Sequence, residues 1–246
     1  MPDEDLLSVV GLESGYGPLT ILRKVGLSAA AGEVVGIFGR NGAGKTTLLQ
    51  TIAGLNKATA GTVRFAGQSL TRRPAHVIAK SGVALVPQWC GLFPGLSTEH
   101  NIRLACRGQR LSKADATARV EDTFERFPGL RGRRAVKAGA LSGGEQRILA
   151  IAKALVRAPR LLLLDEPSIG LAPIIVDQVA EVIAGLRGAD LTILLTEQRM
   201  DWALDAVDRA VLLENGEIAS ELRTDARQDW AVVIEQSLGI GLSTGS

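Results

Sequence analysis

The chain has 246 residues, 46% of them hydrophobic and 22% charged, a globular composition that excludes a disordered chain. With 28 Lys and Arg against 26 Asp and Glu the formal charge is only +2, so the bulk charge gives no case for a nucleic-acid partner. Cys90, Cys106, His76 and His100 are too few and too scattered for a disulfide framework or a histidine-built metal centre.

The chain opens on the acidic Met1–Asp5, where an export signal would be basic and then apolar. Apolar runs such as Leu161–Leu164 fall far short of the ~20 residues that cross a bilayer. The expected location is therefore the cytoplasm. Beyond the start, short apolar runs alternate with helical patterns, which predicts an α/β fold around a mainly parallel sheet. A first strand is expected over residues 6–10 and a second over 34–38. The second runs into Gly39-Arg-Asn-Gly-Ala-Gly-Lys45-Thr46, which fits G-x-x-x-x-G-K-[ST] and opens a helical pattern over 45–54. Such a loop turns backbone N–H groups inward around phosphates, and the helix start adds its positive dipole end. On this reading Gly39, Asn41, Gly42, Gly44, Lys45, Thr46 and Thr47 bind nucleotide phosphates. Lys45 reaches the β- and γ-phosphates and the Thr46 hydroxyl ligates Mg²⁺. An ordinary glycine turn is the plainer alternative, and the strand–loop–helix setting disfavours it.

Strands over 62–65 and 83–86 come next, then a section of about 88–140 without a clear strand. Helices are expected there over 97–106 and 113–127, the second capped by Ser112 with Asp115. The section reads as a helical subdomain inserted into the α/β core. Leu141-Ser-Gly-Gly-Glu-Gln146 then opens a helix over 145–157. Ser142 and Glu145 form a capping box, while Gly143 and Gly144 leave room for a phosphate at the helix end. A plain N-cap would explain Ser142 and Glu145 but not two missing side chains. The strand over 161–164 is apolar on both faces and ends in Asp165-Glu166. That places two acids at the carboxyl edge of the sheet, where open α/β sheets bind ligands. Asp165 suits a Mg²⁺ shell, and Glu166 suits polarising a water for attack on a γ-phosphate. A helix over 173–187, a strand over 191–195, a helix over 199–207, a strand over 210–213 and a helix over 226–237 complete the order. The tail 239–246 is small and polar.

Together these motifs resemble the ATP-binding subunits of ABC transporters, whose signature is the LSGGQ-type sequence at Leu141–Gln146. The resemblance covers nearly the whole chain. It implies an α/β P-loop NTPase core with a mainly parallel sheet, an N-terminal antiparallel β portion and the inserted helical subdomain. Residues 1–246 would form one ATPase domain, with 1–87 and 159–246 as the nucleotide-binding core and 88–158 as the helical subdomain. The implied ligands are ATP and Mg²⁺. Tyr16 matches the aromatic that stacks on adenine, and Gln88 matches the glutamine linking Mg²⁺ and the attacking water to the helical subdomain. Ser142, Gly143 and Gly144 would meet the ATP of a second subunit, towards which Ser168–Leu171 crosses.

The partners implied by the resemblance are a second ATPase, paralogue or self, in a head-to-tail pair, and two transmembrane permease subunits. An extracytoplasmic substrate-binding protein acts indirectly, no nucleic acid is involved, and the chain is peripheral on the inner face of the cell membrane. At Thr196-Glu197-Gln198 the chain departs from the usual pattern, because most of these ATPases have a switch histidine where Gln198 stands. Gln198 can donate an amide N–H to a γ-phosphate but cannot become a cation. Glu197-Gln198, with Asp165–Val176 and Leu92–Ser97, is similar to one of the two ATPases of branched-chain amino-acid importers. Urea and short-chain amide importers share those features. A soluble ABC ATPase would carry two cassettes or a coiled-coil insertion, a non-hydrolysing regulator would lack Glu166, and a P-loop kinase leaves Leu141–Gln146 unexplained.

Overall fold

Two sheets of different construction meet on one helix in this computed structural model, which describes residues 5–107, 111–188, 190–200 and 202–223. Strands β1 (Leu7–Tyr16) and β2 (Leu19–Ala29) form a hairpin. With β4 (Ala58–Phe65) and β5 (Gln68–Ser69) they make an antiparallel sheet of order β2-β1-β4-β5. The second sheet has the order β10-β9-β3-β8-β7-β6. It contains β3 (Val34–Phe38), β6 (Val83–Val86), β7 (Leu161–Asp165), β8 (Thr192–Glu197), β9 (Arg209–Glu214) and β10 (Glu217–Arg223). Every neighbouring pair in it is parallel except β9 with β10. The carboxyl ends of β3, β8 and β7 therefore lie side by side in the middle of one edge.

The central strands β3, β7 and β8 are buried at every position because both of their faces are covered. Val35, Ile37, Leu161, Leu163, Leu194 and Val211 point into a core shared with the antiparallel sheet and α1 (Lys45–Ile52). The alternate residues Val34, Phe38, Leu162, Leu164, Ile193 and Leu195 point into a second core with α6 (Gly143–Leu155) and α7 (Pro173–Ala184). Helices α3 (Thr98–Ala105), α4 (Lys113–Arg126) and α5 (Pro128–Arg131) extend that second core through Ile102, Val120, Phe124 and Leu130. Among the described residues of 88–140 there is no named strand, as expected. The capping boxes expected at Ser112/Asp115 and Ser142/Glu145 both form, each with its serine accepting the third N–H and the acid reaching back.

Several elements differ from the sequence reading. Strand β2 was not expected, because its exposed Arg23 and Lys24, the latter at a φ of 49°, interrupt the alternation that marks a strand. Strand β10 was not expected either, although Asn215 (φ 49°) and Gly216 (φ 83°) form the Asn-Gly turn that favours a hairpin with β9. The short α2 (Ala75–Lys80) and α5 escaped for lack of periods to count. The helix expected over 199–207 is a correction: its described residues hold only a 3₁₀ turn at Ala203–Asp205. The periodic burial is present, at Met200, Ala203, Ala206 and Val207. The segment is, however, tied to the sheet at both ends, by β8 and by the Asp208 N–H on Val34 O at 2.8 Å. The few residues between cannot repay the cost of nucleating an α-helix. The helix expected over 226–237 and the tail 239–246 lie outside the described residues.

Candidate nucleotide site

The turn from β3 into α1 is built on glycine. Gly44 caps α1 at a φ of 109°, and a Cβ there would also lie 2.9 Å from Leu22 Cδ2. Behind this turn Lys45 is buried. Its Nζ donates to Gly39 O at 2.8 Å and Arg40 O at 3.2 Å and pairs with Glu166 Oε1 at 2.9 Å. The first N–H groups of α1 have no partner within the helix, as at every helix start, and so remain free for acceptors in the cleft. Such an arrangement of donors and one cation suits a polyphosphate.

Across the cleft stands the acidic end of β7. Asp165 Oδ1 accepts from Thr46 Oγ1 at 3.0 Å and from Thr196 Oγ1 at 2.9 Å. Burial pushes the Asp165 carboxyl up, against the two hydroxyls and Lys45, which pull it down. Thr46 and Asp165 thus present a hydroxyl and a carboxylate oxygen together, a hard donor set of the kind Mg²⁺ takes, with open cleft beside it for water and phosphate oxygens. Glu166 has the left-handed φ of 46° and is held there by its N–H on Thr196 O at 3.1 Å.

The cleft encloses ≈ 280 Å³. The loop side is lined by Asn41, Gly42, Gly44, Lys45, Thr46 and Thr47, the far side by Gln88 and Glu166, and the antiparallel sheet adds Ile21. Gly39 lies behind the wall: its carbonyl holds Lys45, and its Cα packs so tightly on β9 that a Cβ would be 2.3 Å from Leu213 O. Tyr16 does not line the cleft. Its ring is half exposed beside α1, with the hydroxyl donating to Gln50 Oε1 at 3.0 Å. Gln198 is half-buried just past β8 and also stands outside the lining. Ser142, Gly143 and Gly144 form the start of α6 and take no part in this cleft. A larger cavity of ≈ 540 Å³ opens elsewhere, beside Arg160 and Leu191 at the opposite ends of β7 and β8, and contains none of these groups.

Two findings go beyond the sequence reading. A Cβ on Gly144 would lie 2.2 Å from Ile175 Cγ2, so packing against α7 requires a glycine there whatever binds nearby. The missing side chain at 144 is therefore no evidence by itself for a phosphate. In the sequence Thr196 and Glu197 stand out only as neighbours of Gln198, yet Thr196 holds both Asp165 and Glu166, and Glu197 is buried beside them. The signal was the pairing of two apolar strands that both end in polar residues, which sets Asp165 opposite Thr196.

Comparison with known proteins agrees with this chemistry. The ABC transporter family matches residues 22–169. The chain is 42% identical over 213 residues to the high-affinity branched-chain amino acid transport ATP-binding protein BraG of Pseudomonas aeruginosa, covering 87% of this chain and 91% of that protein. It is 38% identical over 215 residues to LivF of Archaeoglobus fulgidus, a probable branched-chain amino acid transport ATP-binding protein, covering 87% and 90%. Among solved structures, the ADP conformation of an ATP-binding cassette of an ABC transporter superposes with a TM-score of 0.81 at 26% identity, over 96% of this chain and 98% of that one.

Proposed function

We propose, because the chain belongs to the ABC transporter family, that it is the ATP-binding and ATP-hydrolysing subunit of an importer whose cargo is branched-chain or related amino acids. The observation that carries the reading is the convergence of Lys45, Thr46, Gln88 and Glu166 on one cleft, with Asp165 held behind it by the Thr46 hydroxyl. Residues 1–87 and 159–246 serve as the nucleotide-binding core and 88–158 as the helical subdomain.

Glu166 is the counter-ion of Lys45, 2.9 Å from its Nζ. A γ-phosphate takes over that role and frees the Glu166 carboxylate for a water. Glu166 accepts a proton as the water oxygen bonds to the γ-phosphorus; the bond to the bridging oxygen breaks, and ADP leaves. Bound Mg²⁺, held by Thr46 and Asp165 with Gln88 alongside, supplies charge neutralisation on the phosphate oxygens. Tyr16 offers its ring to adenine, and Gln198 offers a neutral amide to the γ-phosphate.

Ser142–Gly144 stand outside the cleft of their own chain, which supports a head-to-tail pair in which they meet the partner's ATP. Among the described residues no helix is long and apolar enough to cross a membrane. The work of hydrolysis therefore passes to two permease subunits, which hold the chain on the inner face of the membrane and receive cargo from an extracytoplasmic binding protein.

Gly143→Asp tests the composite site, because it keeps the Ser142/Glu145 cap and adds negative charge where the partner's γ-phosphate would lie. The isolated chain should bind ATP as the parent does, while vesicles carrying the assembled transporter lose ATP turnover and leucine uptake. Equal loss of binding in the isolated chain would assign these residues to the chain's own site. Parent vesicles that take up urea and not leucine would move the cargo class.

A further inference from the structure

Glu197 closes β8 and is 2% exposed, yet it does not line the nucleotide cleft. Its Oε1 accepts the N–H of Ser168 at 2.8 Å, and its Oε2 accepts the N–H of Gln198 at 3.3 Å. An acid enclosed this completely costs solvation free energy, so its two acceptor oxygens must serve donors that a space-filling apolar or amide side chain would leave unmatched.

The donors belong to two segments that matter for hydrolysis. Ser168 is buried and stands two residues after Glu166, whose own N–H rests on Thr196 O one residue before Glu197. The end of β8 therefore grips the Glu166 turn twice, through Thr196 and through Glu197. Gln198 is the next residue along.

We infer that Glu197 is a positioning residue: one carboxylate fastens the loop after Glu166 to the backbone of Gln198 and sets these two groups as a unit. The inference rests on the reading of Glu166 as the residue that polarises water.

Glu197→Gln keeps the shape but leaves one acceptor oxygen and turns an amide N–H towards a backbone donor. In vesicles carrying the assembled transporter with Mg-ATP, kcat should fall about ten-fold with KM for ATP changed by less than about two-fold, the scale of one unmatched buried donor. Glu197→Asp keeps both oxygens one methylene short and should lose less; it carries the test if the Gln variant does not fold. Amide hydrogen exchange without nucleotide reads the link directly. The Ser168 or the Gln198 amide should exchange about ten-fold faster in Glu197→Gln, again the scale of one lost buried bond, with Leu161–Leu164 unchanged. Parent exchange rates at both amides, or a parent kcat per folded molecule, would overturn the proposal. An assembled parent transporter without ATP turnover, or a fully active Glu166→Gln in it, would instead count against the hydrolysis reading, and the exchange arm would still decide the link.

Discussion

Lys45 and Glu166 are both buried and 2.9 Å apart, so each is the other's main counter-charge. Lys45→Ala removes the cation facing the phosphates and leaves Glu166 uncompensated, at a cost of about 3–5 kcal/mol in stability as well as the loss of ATP binding. The reverse change is more telling. Glu166→Gln keeps the shape, removes the competitor for Lys45 and should tighten binding of a non-hydrolysable ATP analogue several-fold while abolishing turnover. Isothermal titration of parent and variant checks it, and equal affinity would show that the pair does not compete with nucleotide. Glu197 makes a separate prediction through pH. Burial pushes its carboxyl up, the Ser168 and Gln198 donors pull it down, and Glu166 adds to the rise. The folded chain then holds the proton longer than the unfolded one, so the stabilisation is full below about pH 4.3 and is lost as pH rises through the folded value. Urea unfolding from pH 5 to 8 should show the Glu197→Gln variant gaining on the parent as pH rises. A gap of constant size would mean that Glu197 does not titrate between the two states. The phosphate loop and Asp165-Glu166 were legible in the sequence because their chemistry is a matter of local spacing. Thr196 and Glu197 were not, because their roles come from the register of β8 on β7 across some thirty positions of chain.

Among the elements, α6 shows how one residue can look functional for the wrong reason. The run Ser142-Gly-Gly-Glu145 was legible as a capped helix start, and it is one. The need for glycine at 144 comes from Ile175 on α7, far along the chain, and no local pattern reports that contact. Gly144→Ala should gain helix propensity and still destabilise the chain by about 1–3 kcal/mol, since overpacking outweighs the ~1 kcal/mol of propensity. Adding Ile175→Ala should recover much of the loss, because it removes the atom in the way. Thermal unfolding of the two single variants and the double decides it, and additive losses would refute the contact as the cause. The missed strands have a similar lesson. Strand β2 is held by pairing with β1 and not by its own pattern, and β10 was announced only by a two-residue turn.

At the scale of the molecule, the segment from Pro87 to Ser97 is fastened to the helical part. Asn101, fully buried on α3, accepts the Phe93 N–H at 2.9 Å and donates to the carbonyls of Phe93, Leu96 and Ser97 at 3.0–3.3 Å. Lys153 on α6 donates to Gly91 O at 2.7 Å and lies over the Phe93 ring. Gln88, at the head of this segment, is thus joined to both the cleft and the helices. Asn101→Ala should cost about 2–3 kcal/mol and open residues 91–97 to proteolysis before the rest of the chain, since buried backbone groups are left unmatched. Uniform cleavage kinetics in parent and variant would count against the clamp. The six-stranded sheet carries a further consequence in the way it ends. On one side it stops at β6, four residues long; on the other the β9–β10 hairpin is tied back to β2 by the Arg23 N–H on Gly216 O at 2.8 Å. The β6 margin therefore offers only four residues of backbone to template an added strand from another molecule. An edge that short gives a foreign strand little to zip onto, so this side of the sheet ends without a ready seam for a β-ladder.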